Sequence, residues 1–108
     1  MILIEAGEAF LRHCQLERHL APNTLAAYRQ DVAELVRHFG SIHATAVSSD
    51  ALVAYTAHLT NPRGLAPATV KRRLACARGL FRWLTRVGHL TADPFAGTEI
   101  RVRMSVVR

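Results

Sequence analysis

The chain has 108 residues, half of them hydrophobic, and its 14 Lys and Arg against 8 Asp and Glu give a formal net charge of +6. That length and apolar fraction suit one domain with a real core and exclude a chain disordered throughout. No apolar run is long enough to cross a bilayer, Glu5 and Glu8 stand where a leader would be basic, and the two cysteines, Cys14 and Cys76, are isolated, so the expected setting is the cytoplasm.

Apolar residues recur at helical spacing in four places. The first predicted helix covers about 3–18, with Ala6, Phe10, Leu11 and Cys14 on one stripe. The second covers 22–39, its stripe running through Leu25, Tyr28, Val32, Leu35, Val36 and Phe39, and Gly40 suits the position after it. The third covers 49–59, with Ser48 or Ser49 as cap, Asp50 at its positive end, and Leu52, Tyr55 and Leu59 inward. Pro62 and Gly64 then break the chain. The fourth covers 67–87, with Val70, Leu74, Ala77, Phe81 and Leu84 inward and Gly88 as its stop. Asp93-Pro94 ends helical structure. From Thr98, Ile100, Val102, Met104 and Val106 alternate with polar residues, a strand-like period without a partner strand. The expected fold is all-α, a small four-helix bundle over 1–96 with a flexible tail over 97–108. Its expected core includes Phe10, Leu25, Tyr28, Val32, Leu35, Leu52, Leu74, Ala77, Phe81 and Leu84.

The charge is unevenly placed. Between Ala51 and Ala92 there is no Asp or Glu, while Arg63, Lys71, Arg72, Arg73, Arg78, Arg82 and Arg86 all fall there. A solvated helix face usually mixes both signs, so this segment reads as a footprint for a polyanion. On the fourth helix, Lys71, Ala75, Arg78, Arg82 and Arg86 lie along one side over about four turns. Ala75 and nearby Gly79 are small enough to let such a face enter a major groove. Arg73 lies on the other flank, placed to pair with a carboxylate of a neighbouring helix. Trp83 is off the centre of the apolar stripe.

Two helix starts are written alike: "LAPNTL" at 20–25 and "LAPATV" at 65–70. The residues that follow diverge, so this is one helix start used twice, not a repeat of a whole unit. Proline suits the first helical position, which makes Ala21 and Ala66 the caps, a weak choice. Thr24 and Thr69 then fall at the third helical position, where a hydroxyl beside unpaired N–H groups can hold a phosphate oxygen.

At this point the landmarks together resemble a known family. Phe10-Leu11, Glu17-Arg18, Leu20, Asn23-Thr24, Tyr28-Arg29 and Asp31 are followed by Arg63-Gly64-Leu65, Thr69, Arg72-Arg73-Leu74, Ala77-Arg78, Phe81 and Asp93-Pro94. Their order and spacing over about 4–95 are similar to the N-terminal core-binding, SAM-like domain of tyrosine recombinases, the phage-integrase and Xer-like family. The resemblance implies a domain that closes with a C-terminal catalytic domain around duplex DNA, its second and fourth helices against the DNA. It adds Asn23 to a candidate DNA-binding set of Thr24, Thr69, Lys71, Arg72, Arg78, Arg82 and Arg86.

Departures from the family pattern set further expectations. Ala21 and Ala66 replace serine caps, and His19 takes a glycine position, so it must adopt a left-handed turn. The family cuts DNA with a tyrosine assisted by arginines and a His-x-x-Arg element, and no His-x-x-Arg occurs here. Tyr28 and Tyr55 sit within apolar stripes. "GTEIRVRMSVVR" stands where the family has a basic linker toward its catalytic half. The expected chain is therefore a DNA-binding domain that does no chemistry alone and needs no cofactor. None of the six histidines has metal-ligand spacing with Cys, Asp or Glu on one helical face, and no Gly-rich phosphate loop is present, so neither a metal nor a small-molecule substrate is expected. Expected partners are duplex DNA and, on that DNA, other recombinase protomers; no membrane is involved. The rival reading is a small basic helical adaptor for an acidic protein.

Overall fold

The computed structural model describes residues 1–96. It has four helices: α1 at Leu3–Leu16, α2 at Pro22–Phe39, α3 at Ser49–Thr60 and α4 at Pro67–Arg86, with a single 3-10 turn at Ala44–Ala46 between α2 and α3. The described residues hold no strand, only an isolated bridge between Ile2 and His43. The expectation of a mobile tail over 97–108 falls outside the described residues.

Each helix begins where local chemistry favours it. Glu5 reaches back to accept the Ile2 N–H at 3.2 Å, closing the start of α1. Ser48, rather than Ser49, caps α3 by accepting the Ala51 N–H at 3.1 Å. The Ser49 hydroxyl instead donates to the Pro94 carbonyl and ties the segment after α4 to the start of α3. At α2 and α4, Ala21 and Ala66 are the caps, Pro22 and Pro67 open the helix, and neither start has a side-chain cap hydrogen bond. α1 ends two residues earlier than its apolar pattern suggests. The Arg18 N–H turns back to His13 O and the Leu20 N–H to Cys14 O, and His19 adopts φ 52°. The left-handed turn expected at His19 is thus present; a histidine tolerates it better than most side chains.

Contacts along the helices set their directions. Arg72 meets Asp31, Arg73 meets the Gln30 carbonyl and Cys76 meets the Tyr28 carbonyl, so α2 and α4 run antiparallel. Phe10 lies 6.3 Å from Tyr28, and Gly7 sits against Val32, so α1 and α2 are antiparallel as well. A Cβ on Gly7 would stand 2.6 Å from Val32 Cγ1, so this crossing needs a residue without one. α3 packs on the end of α2 through Tyr55, whose ring lies 4.9 Å from His38 and 5.7 Å from Phe39.

The core gathers the inward stripes. Phe10, Leu25, Val32, Leu35, Leu52, Leu74, Ala77, Phe81 and Leu84 are buried as expected. Tyr28 corrects the list: it is half-buried and packs on the edge of the core, because the polar neighbours Arg18 and Asp31 come up beside it. Leu80 and Cys76 are buried too, although the one-sided stripe of α4 omits or marginalises them. α4 is covered by three helices and by Leu90 and Phe95 from the segment after it, which widens its buried arc. Truncating Phe10 or Phe81 to alanine would cost about 3–5 kcal/mol, the usual range for a fully buried phenylalanine.

Candidate nucleic-acid interface

The seam between α2 and α4 is polar at its centre. Asp31 is buried, and its Oδ1 accepts from Arg72 Nη2 at 2.9 Å and from Arg73 Nη1 at 3.4 Å. Glu34, one turn on and also buried, accepts from Arg63 Nη2 at 2.8 Å. Burying a carboxylate without a cation would be costly, and these arrangements avoid that. The consequence reaches the surface. Both carboxylates that α2 could have shown beside α4 are inside and paired. Among the described residues, the exposed acids, Glu5, Glu8, Glu17 and Asp50, lie on α1, just after it, or on α3, and Asp93, beyond α4, is half-buried.

What α4 shows to solvent is therefore basic. Lys71, Arg82 and Arg86 are exposed on the predicted side, with exposed Ala75 between them. Arg78 is half-buried, its guanidinium carbon 5.5 Å from the centre of the Phe95 ring, which in turn packs on Phe81 at 6.1 Å. This cation–π placement holds Arg78 close to the helix and orients it. Arg72 has a partner in Asp31 yet keeps 41% of its side chain exposed, so it has both a structural contact and a solvent edge. Arg73 turns to the other flank, as its position on the helix requires.

Asn23 and Thr24 are exposed at the start of α2, and Thr69 is half-buried at the start of α4. Because the helices are antiparallel, these starts lie at opposite ends of the pair. The register of Asp31 with Arg72 puts Thr24 level with about residue 79 and separates the two threonines by about 15 Å along the axes. The structure thus gathers Lys71, Arg78, Arg82 and Arg86 on one face, and leaves the two threonines apart. Gly79 also serves the α1–α4 crossing, because a Cβ there would lie 3.3 Å from Phe10 Cζ.

Two concavities are not apparent from the sequence. One, of about 210 Å³, lies between the end of α1 and the second half of α4, where Arg18 joins Arg82, Arg86 and Trp83. Arg18 lies outside the acid-free segment, and only the helix crossing brings it there. The other, of about 440 Å³, is an apolar groove between α1 and α2 lined by Ile4, Leu11, Val32 and Val36.

Nucleophilic chemistry has little support in this arrangement. Tyr55 is fully buried, and burial pushes its hydroxyl well above the ordinary tyrosine range. Tyr28 is shifted in the same direction, again mainly by burial. Burial, with Asp31 adding to it, pushes the Cys76 thiol up to about 12, and burial also raises Cys14. All four stay protonated near neutral pH, the unreactive form. Among the described residues, no group of three or more His, Cys, Asp or Glu is arranged to hold a metal ion, and no helix is long and apolar enough to cross a membrane.

Comparison with known proteins adds a lineage. The family described as phage integrase, N-terminal SAM-like domain, matches residues 8–88. The chain is 34% identical over 96 residues to tyrosine recombinase XerC of Xanthomonas campestris pv. campestris (strain B100), covering 86% of this chain and 30% of that protein. It is 38% identical over 90 residues to tyrosine recombinase XerC of Roseiflexus sp. (strain RS-1), covering 81% of this chain and 28% of that one, and 32% identical over 93 residues to the Xylella fastidiosa (strain M23) protein of the same name, covering 83% and 31%. The chain spans about 30% of the length of these curated relatives. No solved structure gives a significant match. A four-helix bundle with these landmarks, matched across most of its described length, belongs to the phage-integrase N-terminal SAM-like domain family.

Proposed function

We propose that this chain is the DNA-gripping domain of a site-specific tyrosine recombinase, holding duplex DNA against α2 and α4 during integration or recombination. The observation that carries this reading is the acid-free face of α4, kept basic because Asp31 and Glu34 of α2 are buried and paired. The names of the relatives, tyrosine recombinase XerC, support the same role.

In this reading Lys71, Arg78, Arg82 and Arg86 meet backbone phosphates, Arg72 adds its exposed edge, and Asn23, Thr24 and Thr69 hold phosphates at the two helix starts. Residues 1–96 are the binding domain and 97–108 lead away from it. The domain works in the cytoplasm, without cofactor or metal, and alone neither cuts nor joins DNA. Other recombinase protomers can share the same DNA. The test is a titration of duplex DNA at two salt concentrations. A slope that falls by about one for each phosphate-contacting cation removed supports the interface, as does binding in the range of about 10⁻⁴–10⁻⁶ M at physiological salt. A salt-independent isotherm, or none at all, would favour the adaptor reading, in which the same face meets an acidic protein.

A further inference from the structure

The concavity between α1 and α4 has an unusual lining. The half-buried Trp83 supplies the aromatic surface, backed by the largely buried rings of His13 and Phe10, and Arg18, Arg82 and Arg86 supply three guanidinium groups. The imidazole of His13 stacks on the indole at 5.1 Å with 22° between the planes, and Phe10 lies 6.0 Å from the same indole. No carboxylate lines the cavity; Glu17 is held instead by His13 Nδ1 at 3.3 Å. A plain phosphate site has no use for a half-buried indole, and an ordinary apolar core has no use for three guanidinium groups. Together they complement a flat ring that carries an anion. The volume, about 210 Å³, is below the usual 300 Å³ and above of drug-sized ligand pockets, so the occupant is small.

Arg82 and Arg86 also belong to the basic face of α4, so DNA lying on that face passes this cavity. Bases inside an intact duplex are stacked and cannot reach the indole. An unpaired base can, because its unstacking costs least. We propose that the pocket receives one unstacked nucleotide of the bound DNA, its base against the Trp83 ring and its phosphate on Arg18, Arg82 and Arg86. Sequence-tolerant stacking on an aromatic side chain inside a basic groove is an established way to hold unpaired nucleotides. The proposal rests on the DNA-gripping reading above and adds a preference for distorted DNA that the reading does not require.

Trp83 is the chain's single tryptophan, so its emission reports on this pocket alone. Two duplexes that differ only by one inserted, unpaired nucleotide, one fully paired and one bulged, are titrated against the protein, following DNA anisotropy and Trp83 emission together. The expected result is about tenfold tighter binding of the bulged duplex and quenching of Trp83 by that duplex only. Arg18→Ala, at an exposed position, should remove most of this preference while leaving the paired duplex within about twofold. Trp83→Leu should abolish the preference by anisotropy; circular dichroism checks that variant's fold, and Arg18→Ala carries the test if it fails. Equal affinities without quenching would overturn the proposal, and so would equal quenching by both duplexes, which would mean that the pocket senses backbone phosphate alone. Adenosine monophosphate separates the two readings. If it quenches Trp83 while the paired duplex does not bind, the interface fails and the pocket stands. If the duplex binds and neither the nucleotide nor the bulge quenches, only the pocket fails.

Discussion

The seam between α2 and α4 and the outer face of α4 are made of the same cations and put them to opposite uses. In the seam, Arg72 and Arg73 converge on Asp31, and Arg63 on Glu34, so guanidinium charge is cancelled and two buried carboxylates become tolerable. On the outer face, Lys71, Arg82 and Arg86 meet no acid of their own helix and remain exposed. Lys71 and Arg72 are adjacent in the chain, yet a rotation of about 100° separates a solvent-facing charge from one that helps to hold two helices together. The two regions also depend on each other: the outer face is uniformly basic because the seam has taken α2's acids inside.

The comparison breaks most visibly at Asp31. Asp31→Ala leaves two guanidinium groups without their shared acceptor, and should destabilise the fold by about 2–4 kcal/mol, discounted from the range for fully buried pairs because Arg72 is partly exposed. Urea denaturation followed by circular dichroism measures this, and an unchanged midpoint would show that the seam is not structural. The outer face should respond in the reverse sense. Lys71→Ala with Arg82→Ala should lower the salt slope of duplex binding by about 2 and leave the denaturation midpoint nearly unchanged. If the double variant binds as the parent does, the basic face is not the DNA face.

Smaller effects sharpen the division. Thr24→Val and Thr69→Val keep shape and remove a hydroxyl, so each should weaken duplex binding by about two- to tenfold with little change in salt slope. At the far end of the seam, His38 packs against His58, and burial first, then its neighbour His58, lowers its affinity for a proton below the usual histidine value, with Glu34 opposing. The folded state then binds fewer protons than the unfolded state as pH falls through 6.5 and below, so stability should decline there. Tyr55, Phe39 and the Glu34–Arg63 pair surround this contact, and His38→Gln should flatten the decline. Thermal denaturation at pH 7.5 and pH 5.5 reads the difference. The smallest effect belongs to Arg12→Ala on α1, which should change neither midpoint nor slope.

Much of this architecture is legible in residue order. Helical periodicity locates α1 to α4 within about two residues, because an apolar stripe at 3.6-residue spacing is a local property of the chain. Pro22, Pro67 and Ser48 mark helix starts through chemistry that acts within one turn, and His19 takes the left-handed turn expected at a glycine position. The run without acids from Ala51 to Ala92 points to α4 as the basic element without any knowledge of its neighbours.

What periodicity could not decide is which neighbour each side chain meets. Arg72 and Lys71 look alike in sequence; only the antiparallel register of α2 and α4 puts Asp31 beside one of them. Gly79 suggests room for a groove, and the crossing of α1 makes it room for Phe10. Cys76 becomes core because α2 closes over it, its thiol against the Tyr28 carbonyl, while Phe95 from beyond the end of α4 packs on Phe81. Arg18 joins Arg82 and Arg86 across a gap of more than sixty residues in sequence through the packing of α1 on α4. The chain's own sequence determined its helices and the sign of its charge, since both follow from residue identity and nearest turns. Tertiary structure alone decided which charges are cancelled and which are shown, because that depends on distances between residues far apart in the chain.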